Sequence, residues 1–327
     1  MSAAEQIHYI NLIRESSQPL EPLPVQLSAE WEALIPKKNT AVLGGIKYPA
    51  ASSGVFRSPG ELVSPRIKAV LFDLYGTLFI SAAGEISAGA AIDSGNAAPG
   101  AILCDEMKEY FRIAVNRYHE KTKAAGIAWP EVKAEEIWAD YSGKIPDTWE
   151  LPQRMGRFLE KIGKKAGKHC IGRELALRFE LAVNPVFPMP YAEEMLRTLV
   201  QNRLKLGIIS NAQFFTPLLF DAFFGAPPAE LGFDPELLIY SFEEGEAKPS
   251  PRLFAKAGDI LARNNIKPEE ILYIGNDMRN DIVPAAEAGF ATALFAGDRR
   301  SLRLREDDPA CKGKKPDFVI NGLRLLR

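Results

Sequence analysis

The chain has 327 residues, a formal net charge of −2, 46% hydrophobic and 25% charged side chains. That length exceeds one ordinary core and fits two domains, and the near-neutral balance excludes a basic field that would recruit nucleic acid or an anionic membrane. No apolar run reaches bilayer length, and the three scattered cysteines, Cys104, Cys170 and Cys311, exclude a disulfide framework or zinc knuckle. With no basic-then-apolar leader at the amino end, a reducing, cytoplasmic setting is expected. His8, His119 and His169 are too few for a histidine-rich metal site.

Residues 1–66 read as an arm lying on the surface, partly mobile. A helix is predicted over 6–14. Pro19, Pro22 and Pro24 break it, and Ser28 caps a second short helix through Trp31 and Leu34. Residues 37–65 are rich in Gly, Pro, Ser and Ala. If this arm binds a protein partner, Trp31 and the Pro-rich run are its contacts.

The stretch KAVLFDLYGTLF, residues 68–79, organises the rest. Ala69, Val70, Leu71 and Phe72 form the short apolar run of a buried parallel strand. Asp73 falls at its end, and Gly76 permits a sharp change of direction. By itself Asp73 could be a turn cap. Residues 81–104 are small and flexible, and read as a flap and linker turning at Gly84. Helical spacing then predicts an all-helical module over 105–185. Its helices begin at Asp105, near Pro130 (first turn, running to Tyr141), after Pro152 (Met155, Phe158, Leu159, Ile162) and at Arg173. From Pro188, strands at 204–210, 237–241, 271–275, 291–295 and 318–320 alternate with helices. The fold class is α/β: a Rossmann-like parallel sheet core, residues 67–80 and 186–327, with helices on both faces and an inserted helical cap.

Parallel strands bring their carboxyl ends to one edge, where open sheets place their chemistry. There the sequence sets Asp73, Tyr75 and Thr77; Ser210 and Asn211; Lys248 before Pro249; and Gly275, Asn276, Asp277, Asn280 and Asp281. An Asp carboxylate can form a covalent intermediate with an electrophilic centre. If that centre is phosphorus, a Lys, a hydroxyl and a cation stabilise its charge. Asp73, Asp277 and Asp281 crowd more negative charge than Lys248 offsets, so a magnesium ion with oxygen ligands is the natural remedy.

In order and spacing these four motifs resemble the haloacid dehalogenase superfamily, over residues 66–325. The resemblance implies Asp73 as nucleophile, Thr77 orienting its loop, and Ser210 with Asn211 binding the transferring group beside Tyr75 and Gly76. It implies Lys248 as charge balance and magnesium on Asp73, the Tyr75 carbonyl and Asp277, with Asp281, Asn276 and Asn280 supporting. Asn276 is the other claimant to the ligand position of Asp277.

Two departures bear on substrate. Superfamily phosphatases carry an acid–base Asp where this chain has Tyr75, a phenol of ordinary pKa about 10. Tyr-Gly-Thr-Leu is the form of 2-haloacid dehalogenases, which use no metal. Phe254 stands where those enzymes carry Tyr, and Arg112 and Arg117 are the nearest candidates for their cap arginine. The reading is a magnesium-dependent hydrolase, a phosphatase of small phosphorylated metabolites. The alternatives are a metal-independent 2-haloacid dehalogenase and a binding or regulatory protein of low activity.

Overall fold

The computed structural model describes residues 1–35, 67–84, 105–141 and 168–326. The expected linker beyond Gly84, the helix after Pro152 and the stretch 37–65 lie outside these residues. Helix α1 (Ala3–Ser16) and the short α2 (Ala29–Glu32) come first, followed by strands β1 (Ala69–Phe72) and β2 (Phe79–Ser81). Three helices of the inserted module follow, α3 (Asp105–Ala124), α4 (Ala134–Tyr141) and α5 (Lys168–Val183). Then come β3 (Val186–Pro188), α6 (Ala192–Gln201), β4 (Lys205–Ser210), α7 (Leu218–Phe224), β5 (Phe233–Tyr240), α8 (Ser241–Glu244) and α9 (Pro251–Arg263). The chain ends with β6 (Ile271–Gly275), α10 (Val283–Glu287), β7 (Ala291–Phe295) and β8 (Phe318–Ile320).

Six strands form one sheet in the order β5-β4-β1-β6-β7-β8, every neighbouring pair parallel. All four residues of β1 are fully buried, because both faces are covered by helices. Its central place between β4 and β6 puts Asp73 midway along the carboxyl edge.

Three features differ from or go beyond the expected elements. First, β2 pairs antiparallel with β3, so the chain leaves for the helical module and returns through one two-stranded ribbon. Asn184 locks it: its Oδ1 accepts from Ser81 Oγ at 2.8 Å and from the Ala83 amide at 3.0 Å. Secondly, Pro130 does not open a helix. It lies in an extended bridge to Glu246, and α4 starts only at Ala134, whose amide is taken by Gln213 Oε1 at 3.0 Å. Thirdly, the described part of the arm is packed. α1 starts on a capping box, Ser2 with Glu5, and buries Tyr9 and Ile13 fully. Arg14 donates to the Asp221 and Ala222 carbonyls at the end of α7, while His8 Nε2 meets Glu174 of α5 at 2.8 Å. Trp31, the contact named for the case that the arm binds a partner, is buried against Met278, Ile282 and Val319, and its Nε1 donates to Glu306 at 3.1 Å. The Val319 amide donates to the Leu34 carbonyl, so the arm also covers edge strand β8.

The helical module has an aromatic centre. Phe111 and Trp138 stack at 5.1 Å between centroids, and Phe179 lies 4.8 Å from Trp138. Among the described residues no helix is long and apolar enough to cross a membrane.

Gly172 lets α5 approach α4: a Cβ there would lie 2.1 Å from the Glu135 carbonyl oxygen. In an open helix Gly→Ala gains about 1 kcal/mol. Here backbone blocks the methyl, so Gly172→Ala is expected to cost about 1–3 kcal/mol, read by urea unfolding and by loss of the Trp138 near-ultraviolet dichroism.

Candidate active site

Asp73 is held where β1 ends. Its amide donates to the Ile274 carbonyl of β6 at 2.8 Å, and the next turn wraps on one acceptor, the Leu74 carbonyl, which takes the amides of Thr77, Leu78 and Phe79. Gly76 is required twice over. Its φ is +84°, and an added Cβ would lie 2.3 Å from Ser301 Cβ and 2.9 Å from Asn276 Nδ2. Thr77 Oγ1 donates to Asn276 Oδ1 at 3.1 Å, tying this turn to the end of β6.

The structure brings Asp73, Ser210, Lys248 and Asp281 together. Asp73 Oδ1 accepts from Ser210 Oγ at 2.8 Å and from Lys248 Nζ at 2.7 Å. The same ammonium reaches Asp281 Oδ1 at 2.5 Å and the Tyr273 hydroxyl at 3.3 Å. All are buried. Asp281 in turn accepts from the Asp277 amide, at 2.9 Å, and Gly275 leaves the space its carboxyl fills. Burial works against the Lys248 charge, but Asp281 and Asp73 outweigh it and hold the ammonium above the ordinary lysine value. Asp281 is pushed up, first by burial and then by Asp73 and Asp277 against the pull of Lys248. One ammonium faces several neighbouring acids, so the lysine stays charged while burial and the other carboxylates favour a proton on Asp281.

Asp277 does not join them. Its carboxylate takes Arg305, with Nη2 at 2.7 Å, and caps the following turn through the amides of Arg279 and Asn280. Asn280 Nδ2 adds a bond at 3.2 Å. Asn276 is the residue that faces the Asp73 turn. Asn211, expected beside the transferring group, accepts the Lys248 amide at 2.7 Å and so fastens one catalytic loop to the other. Tyr75 turns its hydroxyl to Thr216 Oγ1 at 2.9 Å. Burial, then the charge of Glu180, drives that phenol well above its ordinary value.

Sequence reasoning missed Tyr273, Ser301 and Arg305. Tyr273 had a signal, since it stands two residues before Gly275 in a strand otherwise aliphatic. Arg305 had none: it is 28 residues from its partner and in a loop.

Among the described residues no three His, Cys, Asp or Glu side chains converge into a cation cluster. The catalytic turn offers oxygens instead. Asp73 Oδ2 and the Tyr75 carbonyl accept no hydrogen bond among the described residues, and the Asn276 amide oxygen, just past the end of β6, is tied to the same turn through Thr77. Ser301 Oγ is buried beside this turn without a partner among the described residues. Such hard oxygens are the donor type magnesium takes, with water completing its shell.

A family model described as haloacid dehalogenase-like hydrolase matches residues 67–289, and the chain belongs to this family. It is 34% identical over 269 residues to a glyceraldehyde 3-phosphate phosphatase of Methanopyrus kandleri, covering 80% of this chain and 95% of that one. It is 30% identical over 195 residues to a phosphoserine phosphatase of Thermus thermophilus, covering 58% and 71%. The solved 2-haloacid dehalogenase of Pseudomonas syringae overlaps 80% of this chain and 96% of its own, at 19% identity and a TM-score of 0.47.

Removing the ammonium leaves two carboxyls buried together. Lys248→Met is expected to cost about 3–5 kcal/mol at pH 7.5 in urea unfolding. The loss shrinks toward pH 5, because an acid whose folded pKa lies above its unfolded value regains stability as pH falls.

Proposed function

We propose that this protein is a magnesium-dependent phosphatase of small phosphorylated metabolites, working through an aspartyl-phosphate on Asp73. The observation that carries the reading is the split use of one carboxylate. Oδ1 is fixed by Ser210 and Lys248, and Oδ2 is left to react. Oδ2 attacks phosphorus, the bond to the substrate oxygen breaks, and that oxygen leaves, taking its proton from solvent. Water then attacks the phosphoryl group and gives up a proton to solvent, the Asp73–phosphorus bond breaks, and the carboxylate returns. Lys248 holds charge on the nucleophile and then on the phosphorylated state. Magnesium, held by Asp73, the Tyr75 carbonyl and Asn276, would supply further charge neutralisation for the phosphoryl oxygens. Asn276 replaces Asp277 in this role, because Asp277 is spent on Arg305.

The relatives bearing phosphatase names favour phosphate monoesters of small acids and sugars as substrates. Residues 105–185 act as a cap over the sheet edge, the ribbon of β2 and β3 as its hinge, and residues 67–80 and 186–327 as the hydrolase core. The scattered cysteines favour a cytoplasmic setting.

One feature favours a second reading, a metal-independent haloacid dehalogenase. Tyr75 and Asn276 are both neutral where a phosphatase would carry acids. A phenol driven upward by burial is no base for water, and loss of a general acid–base group typically removes about 10²–10⁴ in rate.

A panel of small phosphate monoesters and short 2-haloacids, assayed with magnesium or with EDTA, separates the two. Magnesium-dependent phosphate release, reduced at least about 10³-fold by Asp73→Asn, is expected. Halide release in EDTA would replace the phosphatase with the dehalogenase, and phosphate release unchanged in Asp73→Asn would remove the covalent step.

A further inference from the structure

Gln213 stands three residues beyond Ser210, on the turn that leaves β4, yet its side chain points into the helical module. It is buried and its amide is fully used. Nε2 donates to Glu131 Oε1 at 2.9 Å and to the Val132 carbonyl at 2.6 Å, while Oε1 accepts the Ala134 amide. Its own backbone amide donates to Thr216 Oγ1, the group that holds the Tyr75 hydroxyl. The same cap segment also grips the loop before Lys248. The Ala247 amide donates to the Trp129 carbonyl at 2.9 Å, the Glu131 amide to the Gly245 carbonyl at 3.3 Å, and Pro130 bridges Glu246. These two loops are joined to each other through Asn211 and the Lys248 amide.

We infer that Gln213 is a positioning residue. It fastens cap segment 129–134 to the two loops that present Ser210 and Lys248, and the protonated form of Glu131 completes the fastening. The alternative that Gln213 contacts substrate is disfavoured, since all its amide hydrogens and its oxygen are spent on the cap.

Among the described residues no cation pairs with the Glu131 carboxyl. From the core side it meets Gln213 and Ser241, both uncharged. From its own side come the acid Glu135 and the phenol Tyr118, whose hydroxyl donates to the Glu131 carbonyl. Glu246, across the bridge, is turned to Ser250 and Arg252. Burial therefore raises the Glu131 carboxyl to about 8. With the segment detached and solvated, the carboxyl returns to its ordinary value of 4.5. The seated state thus binds a proton that the detached state releases. Seating is strongest below the lower value, weakens about tenfold per pH unit between them, and is level above the higher one.

Hydrogen exchange on the full chain tests this without any substrate, so it holds whether Asp73 acts on phosphate or on a haloacid. Wild type, Glu131→Gln and Gln213→Ala are compared at pH 6 and pH 8, at matched pH so that chemical exchange rates cancel. Wild-type protection of residues 129–134, relative to Glu131→Gln, is expected to fall about 50-fold between the two. In Gln213→Ala the segment exchanges fast at both, and the amides of Ala212 and Lys248 lose protection with it. Equal pH dependence in wild type and Glu131→Gln overturns the protonated fastening. Wild-type protection in Gln213→Ala overturns the role of Gln213. If Gln213→Ala also loses protection over β1 it has unfolded, and Gln213→Asn then carries the test of that residue: a side chain one methylene too short must loosen 129–134 while β1 stays protected.

Discussion

A single buried ammonium, Lys248, stands between Asp73 and Asp281, and the arrangement of the carboxyl edge follows from it. Without that charge, two carboxyls from different strands could not lie within reach of one point in a dry site. With it, each acid is anchored from another direction as well. Asp73 is held by Ser210, and Asp281 accepts the amide of Asp277. Tyr273 closes the group by donating to the Ile209 carbonyl while facing both Lys248 and Asp281. The strand order β4-β1-β6 is what permits this, since the three strands that carry Ser210, Asp73 and Gly275 are neighbours.

The chemistry departs from a fully acidic metal pocket at two points, and both have local causes. Tyr75 fits because Thr216 takes its hydroxyl, while burial and the nearby charge of Glu180 would oppose a carboxylate in its place. Asn276 fits because its amide can serve two groups at once, accepting from Thr77 and donating to the Ser301 carbonyl. A carboxylate there would have no hydrogen to give that carbonyl. The acid one residue later is drawn outward by Arg305. Charge near Asp73 is therefore lower than a count of aspartates implies.

The segment before the family region is part of the same architecture. α1 touches α5 through His8 and Glu174 and α7 through Arg14, so it spans the helical module and the sheet domain. Residues 21–35 then line the loop between β7 and β8, where Arg300 donates to the Glu21 carbonyl and Leu23 to Asp298. That loop supplies Ser301 and Arg305 to the catalytic edge. A stretch rich in proline can still be structural when its few large side chains, here Trp31 and Leu34, find an open sheet edge to cover.

Much of the fold was legible because its signals are local. Apolar runs such as 69–72 and 271–275 are strands in any context that buries them, and Asp73, Gly76 and Lys248 fall at positions where backbone and charge leave few other residue types. Helix α9 likewise opens on Ser250 and Pro251 and follows its apolar stripe to Arg263. Partnerships were not legible, because they depend on which distant backbone groups are already satisfied. Pro130 was extended, not helical, since Gly245, Ala247 and Gln213 claimed its neighbours. Residues 79–81 found their partner in the distant 186–188. Asp277 was lost to an arginine in another loop. Residue types and their order determined that Asp73, a lysine and further acids would share one edge. Only the tertiary structure decided which acid shares Lys248 with Asp73, because that choice turns on competing hydrogen bonds from chain segments that carry no mark of their meeting.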